Sequence, residues 1–240
     1  SQGEAGTAEG STAEEGTDGS AQEPAGPSSD PESTHVLVNA QNPLEPRDYA
    51  PADLVEPDVR TSEEAEVQLR AEPSAALEEM MAAIQSEDME LAATSGYRSY
   101  ESQQAVYAEN YAEDGVESTD ETTARPGYSE HQTGLAVDVI SIDNPDCIEG
   151  DCFADTPEGE WVAQNAHRFG FIIRYPDGAE DVTGYHYEPW HVRYVGVETA
   201  AEVFELDTTL EEYWDQPAAE EYDEPEPDPE ILEPPEDSSP

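Results

Sequence analysis

PGYSEHQTGLAVD, Pro126 to Asp138, decides how this chain reads. Its first half is Gly- and Ser-rich and reads as a turn. Leu135–Ile142 then alternates as a strand does, with Ala136, Asp138 and Ile140 on one side and Leu135, Val137 and Val139 on the other. An aspartate inside so apolar a strand needs a cation, because an unpaired buried carboxylate costs several kcal/mol. Either an arginine or a metal ion would serve. His131 lies seven residues before Asp138, a turn plus half a strand, so the two can converge on one point.

Two further stretches complete the pattern. TGYHYEPWHVRYVG (Thr183 to Gly196) carries Glu188 and His191, and SGYRSYESQQ (Ser95 to Gln104) carries Arg98. His131, Asp138 and His191 are three ligands of the kind a catalytic zinc takes while keeping one position open. Zinc brings the pKa of a bound water down to about 7, and Glu188 stands where a general base for that water belongs. Strict strand alternation sends Glu188 and His191 to opposite faces. Pro189 cannot donate to a ladder, so a bulge or bend there is expected to bring both round.

Around these motifs the chain divides in three. Residues 1–34 are Gly, Ser, Thr, Ala and Glu, too polar to offset the entropy of ordering, and are expected to form a disordered linker. Residues 35–214 form the domain. Residues 215–240, rich in Pro and acid, are expected to be an extended, solvated tail. Within the domain, a proline-rich lead-in precedes a helix capped by Thr61–Ser62 and running to Arg70, and a second from Pro73 with Leu77, Met80, Met81 and Ile84 on one face. A strand at Leu91–Ser95 and a helix from Glu101 to Glu113, stopped at Gly115, follow. Gly159–Arg168 and Glu198–Glu205 read as helices, Phe171–Tyr175 and Gly184–Val195 as strands. Helices first and strands mostly later predict an α+β fold, a small antiparallel sheet with helices packed on it and the metal site at the sheet.

The formal charge is −51, and the chain contains no lysine. The ends do not account for this: positions 35–214 hold 40 of the 59 acidic residues and all eight arginines. Self-repulsion of that size destabilises a compact state unless counterions screen it, and adaptation to high salt is the expectation; a merely acidic extracellular protein is the alternative. Nucleic acid and anionic membrane surfaces are excluded as partners, since both need clustered Lys and Arg. No apolar run has the length of a membrane span. The first residue is Ser1, which fits a processed form.

The combined motifs, with GFIIRYP (Gly170 to Pro176), resemble the VanY-type D-alanyl-D-alanine carboxypeptidases of the wider D-Ala metallopeptidase family, from about Val36 to Gly196. The resemblance implies zinc held by His131, Asp138 and His191, with Glu188 as the catalytic base. It implies Arg98 as the anchor for a substrate's terminal carboxylate, and Gln103 and Ser129 as pocket lining. The implied enzyme is an extracytoplasmic, zinc-dependent monomer that removes the C-terminal D-Ala from peptidoglycan stem peptides. An L,D-carboxypeptidase acting on tetrapeptide stems shares the motif set, and a non-catalytic wall-binding module is the contrasting class. In the oxidising compartment this implies, Cys147 and Cys152 (CIEGDC) read as a loop-closing disulfide rather than a thiolate metal pair. His35 and His186 read as exposed, His167 as structural and Trp161 as core. Trp190 and Tyr187 either wall the pocket or pack.

Overall fold

In the computed structural model, which describes residues 26–62, 65–144, 147 and 151–235, a four-stranded antiparallel sheet holds the domain together. A two-stranded ribbon of β1 (Leu54–Val55) and β2 (Leu69–Arg70) lies beside it. Helix α1 (Ala71–Gln85) follows directly and buries Leu77, Met80, Met81 and Ile84. Strand β3 (Leu91–Ser95) leads to α2 (Tyr100–Thr122), and β4 (Ala136–Ser141) forms the sheet interior. Then come α3 (Pro157–Asn165), β5 (Phe171–Ile173), the single turn α4 (Glu180–Thr183) and β6 (His191–Tyr194). The last helices are α5 (Val197–Leu206) and α6 (Leu210–Tyr213). The strand order is β3-β4-β6-β5, every neighbour antiparallel. This is the expected α+β arrangement.

One face of the sheet packs on α1 and α3 through Val137, Val139, Phe171, Val192, Leu77, Met80, Ile84 and Val162. Burying a side chain of this size contributes about 1.5–3 kcal/mol, so this layer dominates the core. A smaller cluster of Leu37, Ile172, Val195, Ala200, Val203, Leu210 and Trp214 seats α5 and α6. No helix among the described residues is long and apolar enough to cross a membrane.

Several expectations are corrected. The helix expected from Thr61 to Arg70 is not formed among its described residues, 61–62 and 65–70. Val67 and Leu69 are both buried while the Gln68 carbonyl between them accepts the Tyr97 N–H at 2.7 Å, a period of two that only extended backbone supplies. Helix α2 does not stop at Gly115 but kinks there (φ 79°) and continues to Thr122. Only His191–Tyr194 of the expected 184–195 strand is a strand. After Asn165 the chain tightens into a 3-10 turn, Ala166–Phe169, closed by Gly170.

The domain is also longer than 35–214. Ser28 pairs with Val36, and Ser33 and Thr34 are buried. Residues 215–235 lie against the domain, with Ala219 and Ile231 buried and a short turn at Pro229–Leu232, where an extended, solvated tail was expected. The remaining parts of the two expected disordered ends, 1–25 and 236–240, fall outside the described residues. His35 is buried rather than exposed: its Nε2 lies 3.1 Å from the Val195 carbonyl and its ring packs on Trp214.

Cys147 and Cys152 form no disulfide. Each is held in its own turn: the Cys147 N–H donates to the Asn144 carbonyl, and Cys152 lies in the Asp151–Phe153 turn that buries Phe153.

Candidate active site

Asp138 of β4 and His191 of β6 are register partners across the antiparallel pair, and Ser95 of β3 is the partner of Asp138 on the other side. Side chains directly opposite one another share a face, so one row across the sheet carries Ser95, Asp138 and His191. His191 Nδ1 lies 2.9 Å from Asp138 Oδ1. His131 reaches the row from the Glu130–Thr133 3-10 turn that precedes β4, placing Nε2 at 3.3 Å from Asp138 Oδ2. That turn is fixed from within. Gln132, fully buried, accepts the Gly127 N–H and donates to the Arg47 and Tyr49 carbonyls, and Thr133 Oγ1 donates to the Glu130 carbonyl.

Both imidazoles are oriented by their second nitrogen. His131 Nδ1 donates to the Gly96 carbonyl at 2.8 Å, which leaves Nε2 for the site. Gly96 permits this because its backbone lies so close to Gln68 that a Cβ would stand 2.5 Å from the Gln68 carbonyl. His191 presents Nδ1 to the site and Nε2 to Glu130 Oε2 at 3.4 Å. One ligand atom from each of His131, Asp138 and His191 falls within 4.8 Å of the others. Two nitrogens and a carboxylate, with their remaining polar atoms satisfied, suit a divalent ion of the zinc type.

Glu188 is placed by a turn rather than a bulge. The chain from Glu188 to His191 folds back so that the His191 N–H donates to the Glu188 carbonyl, and Glu188 Oε2 stands 3.9 Å from His191 Nδ1. Burial, aided by the Asp138 and Glu130 carboxylates, outweighs the pull of His191 and raises the Glu188 carboxyl to about 7. For His191, burial opposes protonation, but the hydrogen bonds to Asp138 and Glu130 outweigh it and hold the pKa up at about 10. The field that binds a proton so firmly is the field a cation would meet there.

Arg98 follows β3 and lies half-buried beside the row. Its guanidinium donates to Gln103 Oε1 at 3.0 Å and Ser95 Oγ at 3.2 Å, and burial lowers its pKa. Among the described residues, six of the eight arginines pair with carboxylates. Arg98 makes no such pair among the described residues, in a protein with acid to spare. Gln103, buried in α2, donates its Nε2 to the Ala124 carbonyl, and Ser129 is buried at the start of the His131 turn. Trp190 packs on the core, and His186 is exposed.

Sequence reasoning missed the layer beneath. Glu130 is fully enclosed. Its Oε1 accepts from Arg174 (2.8 Å) and Arg193 (2.7 Å) while Oε2 faces His191. Arg174 also grips Glu211 with both terminal nitrogens, and Arg193 donates to the Thr34 and Val36 carbonyls. Two cations and two anions thus neutralise one another where neither sign could stand alone. The signal was present, since FIIR and HVR carry arginines in apolar strands just as LAVD carries its aspartate.

Comparison with known proteins matches these features to one family. The family described as VanY, D-alanyl-D-alanine carboxypeptidase, matches residues 66–197. The chain belongs to the VanY family. Its relatives include the bifunctional D-Ala-D-Ala dipeptidase and carboxypeptidase VanXYC of Enterococcus gallinarum, 32% identical over 183 residues that cover 76% of this chain and 94% of that protein. The LdcB LD-carboxypeptidase structure is 46% identical, with a TM-score of 0.73 over 78% of this chain and 87% of that one. The D,D-pentapeptidase VanY of a VanB-type resistance cassette, solved in complex with Zn(II), is 31% identical with a TM-score of 0.57, covering 76% and 98%. Like its relatives this VanY-family chain is a carboxypeptidase, a hydrolase of the metallopeptidase class.

Proposed function

We propose that this VanY-family enzyme is a zinc-dependent, extracytoplasmic carboxypeptidase that removes the C-terminal D-Ala from peptidoglycan stem peptides. The observation that carries the reading is a half-buried arginine with no carboxylate partner among the described residues, beside a largely buried His-Asp-His cluster and the partly exposed Glu188.

His131, Asp138 and His191 would hold the zinc ion, which when bound polarises the scissile carbonyl and acidifies water. Arg98 receives the peptide's terminal carboxylate with two parallel N–H donors, and this fixes which bond reaches the site. Gln103 keeps the guanidinium in that pose from behind. Glu188, with its carboxyl raised by burial, accepts the attacking water's proton and delivers it to the leaving amine. Asp138 and Glu188, the partly exposed members of the cluster, give water and peptide access, while Tyr175 and Tyr185 close the site from beneath.

The penultimate residue remains open to two readings. The likeness to LdcB, an LD-carboxypeptidase, favours tetrapeptide stems, and the likeness to VanY favours pentapeptides. Incubation with pentapeptide and tetrapeptide stems, with and without a chelator, separates them by the D-alanine each releases. No release from either substrate would remove the carboxypeptidase reading.

A further inference from the structure

The C-terminal segment 216–235 docks on the same face as Gln103 and Ser129. We propose that this segment is a positioning strap for the substrate pocket, acting through Tyr222 on the loop 124–129. The proposal rests on the assignment of Arg98, Gln103 and Ser129 to substrate binding.

The strap is anchored at both ends. At its start Ala219 is fully buried and its N–H donates to the Val182 carbonyl at 2.8 Å. The chain passes so close to Gly184 (φ 81°) that a Cβ there would stand 2.5 Å from the Ala219 carbonyl. At its far end Ile231 is buried, and Gln104 Nε2 donates to the carbonyls of Glu230 and Glu233 at 2.9 and 2.8 Å. Gln104 is the chain neighbour of Gln103.

Between these anchors Tyr222 seizes the loop. Its phenol oxygen accepts the Arg125 N–H at 3.0 Å, and the Arg125 guanidinium lies over its ring at 4.0 Å. Arg125 is buried and donates onward to the Glu224 and Pro225 carbonyls, at 2.6 and 3.1 Å. The Tyr222 ring meets Tyr128 edge-on at 5.0 Å, and Arg47 covers the Tyr128 ring at 4.6 Å. Aromatic edge contacts and cation–π contacts of this kind fix orientation as well as distance.

Two short routes lead from Tyr222 to the pocket. One runs through Arg125 to its neighbour Ala124, whose carbonyl holds Gln103 Nε2 at 2.7 Å, and from Gln103 Oε1 to Arg98 at 3.0 Å. The other runs through Tyr128 to its neighbour Ser129. A strap serving stability alone could lie anywhere on the surface; this one grips the chain neighbours of both pocket residues. Moving residues 124 and 125 by a fraction of an ångström would misplace the arginine's partner, while the His131 ring keeps its bond to the Gly96 carbonyl and the His191 ring its contact with Glu130.

The experiment uses the full-length, zinc-loaded chain with stem peptide as substrate. Tyr222→Ala should raise KM roughly tenfold while kcat and bound zinc stay within about twofold, and Tyr222→Phe, which keeps the ring and loses the hydrogen bond, should fall between. The Arg125 amide should exchange with solvent faster in both variants. An unchanged KM with unchanged exchange would overturn the proposal, as would kcat and zinc content falling together. If the alanine variant does not fold, the phenylalanine variant carries the same two measurements. A parent chain that releases no D-alanine would overturn the carboxypeptidase reading instead, and Arg125 exchange then decides whether Tyr222 clamps the loop.

Discussion

Glu130 Oε2 stands 3.4 Å from His191 Nε2, on the side of the ring away from Asp138. The carboxylate thus fixes which nitrogen faces the metal position, while two buried arginines hold it against the cost of burial. A hydrogen-bonded outer partner of this kind commonly sets metal affinity. Glu130→Gln keeps the shape and removes the charge. Zinc affinity should fall about 10- to 100-fold, read by competition with a chelator. An unaltered affinity would leave Glu130 with a purely architectural role.

Glu188 approaches the metal-binding row only through His191, at 3.9 Å, and is not itself one of the three clustered ligands, so its role separates from metal binding. In Glu188→Ala, turnover should fall roughly 10²- to 10⁴-fold while bound zinc remains near one per chain. Measurement of metal content beside D-alanine release checks both halves. A variant that keeps its turnover would overturn the assignment of Glu188 as the catalytic base.

Arg98 is expected to recognise a charge rather than a shape. Charge-assisted hydrogen bonds contribute about 1.5–3 kcal/mol, so Arg98→Ala should lower kcat/KM about 10- to 150-fold on peptides with a free terminal carboxylate. Peptides amidated at that end should be poor substrates for the parent and little changed by the substitution. Equal losses on both would show that the guanidinium supports the pocket only through Gln103.

The net charge of −51 is spread over a surface with few cations to answer it, and of the exposed ion pairs Arg47–Glu45 and Arg60–Glu90 contribute little. Screening should therefore matter more than pairing. The melting temperature should rise from low to molar salt, and neutral osmolytes at matched concentration should not reproduce the rise. A flat salt series would remove the adaptation to high salt.

The three clustered ligands were legible because much of the physics that places them is local, whereas Gln103 and Ser129 came only from the family resemblance. A strand period put Asp138 on one face, and a buried charge demanded a partner. The turn that carries Glu188 was foreseen only as a departure from strand geometry at Pro189, since the β4–β6 register that seats His191 is a long-range fact. The strap was invisible for a different reason. Its few aliphatic residues are scattered through a Pro- and acid-rich stretch with no strand or helix period, and apart from burying Ala219 and Ile231 it docks through its own carbonyls and one tyrosine. The false helix at 61–70 came from capping residues without regard to the alternation of Val67 and Leu69.

Tyr222 also gives the strap a pH limit. Burial, aided by the Asp120 carboxylate, pushes its phenol from 10.0 up to about 12, against the pull of the hydrogen bonds from Arg125 and Tyr185. A phenol is neutral while protonated, so the folded state holds this proton more tightly than the unfolded one. Its contribution to stability is complete below pH 10 and is lost as pH rises from there through about 12. Denaturant midpoints of the parent should fall through that window, and those of Tyr222→Phe, which has no proton to lose, should fall less steeply. Parallel curves for the two proteins would show that the alkaline transition belongs to other buried phenols, such as Tyr175 and Tyr185, which burial also raises.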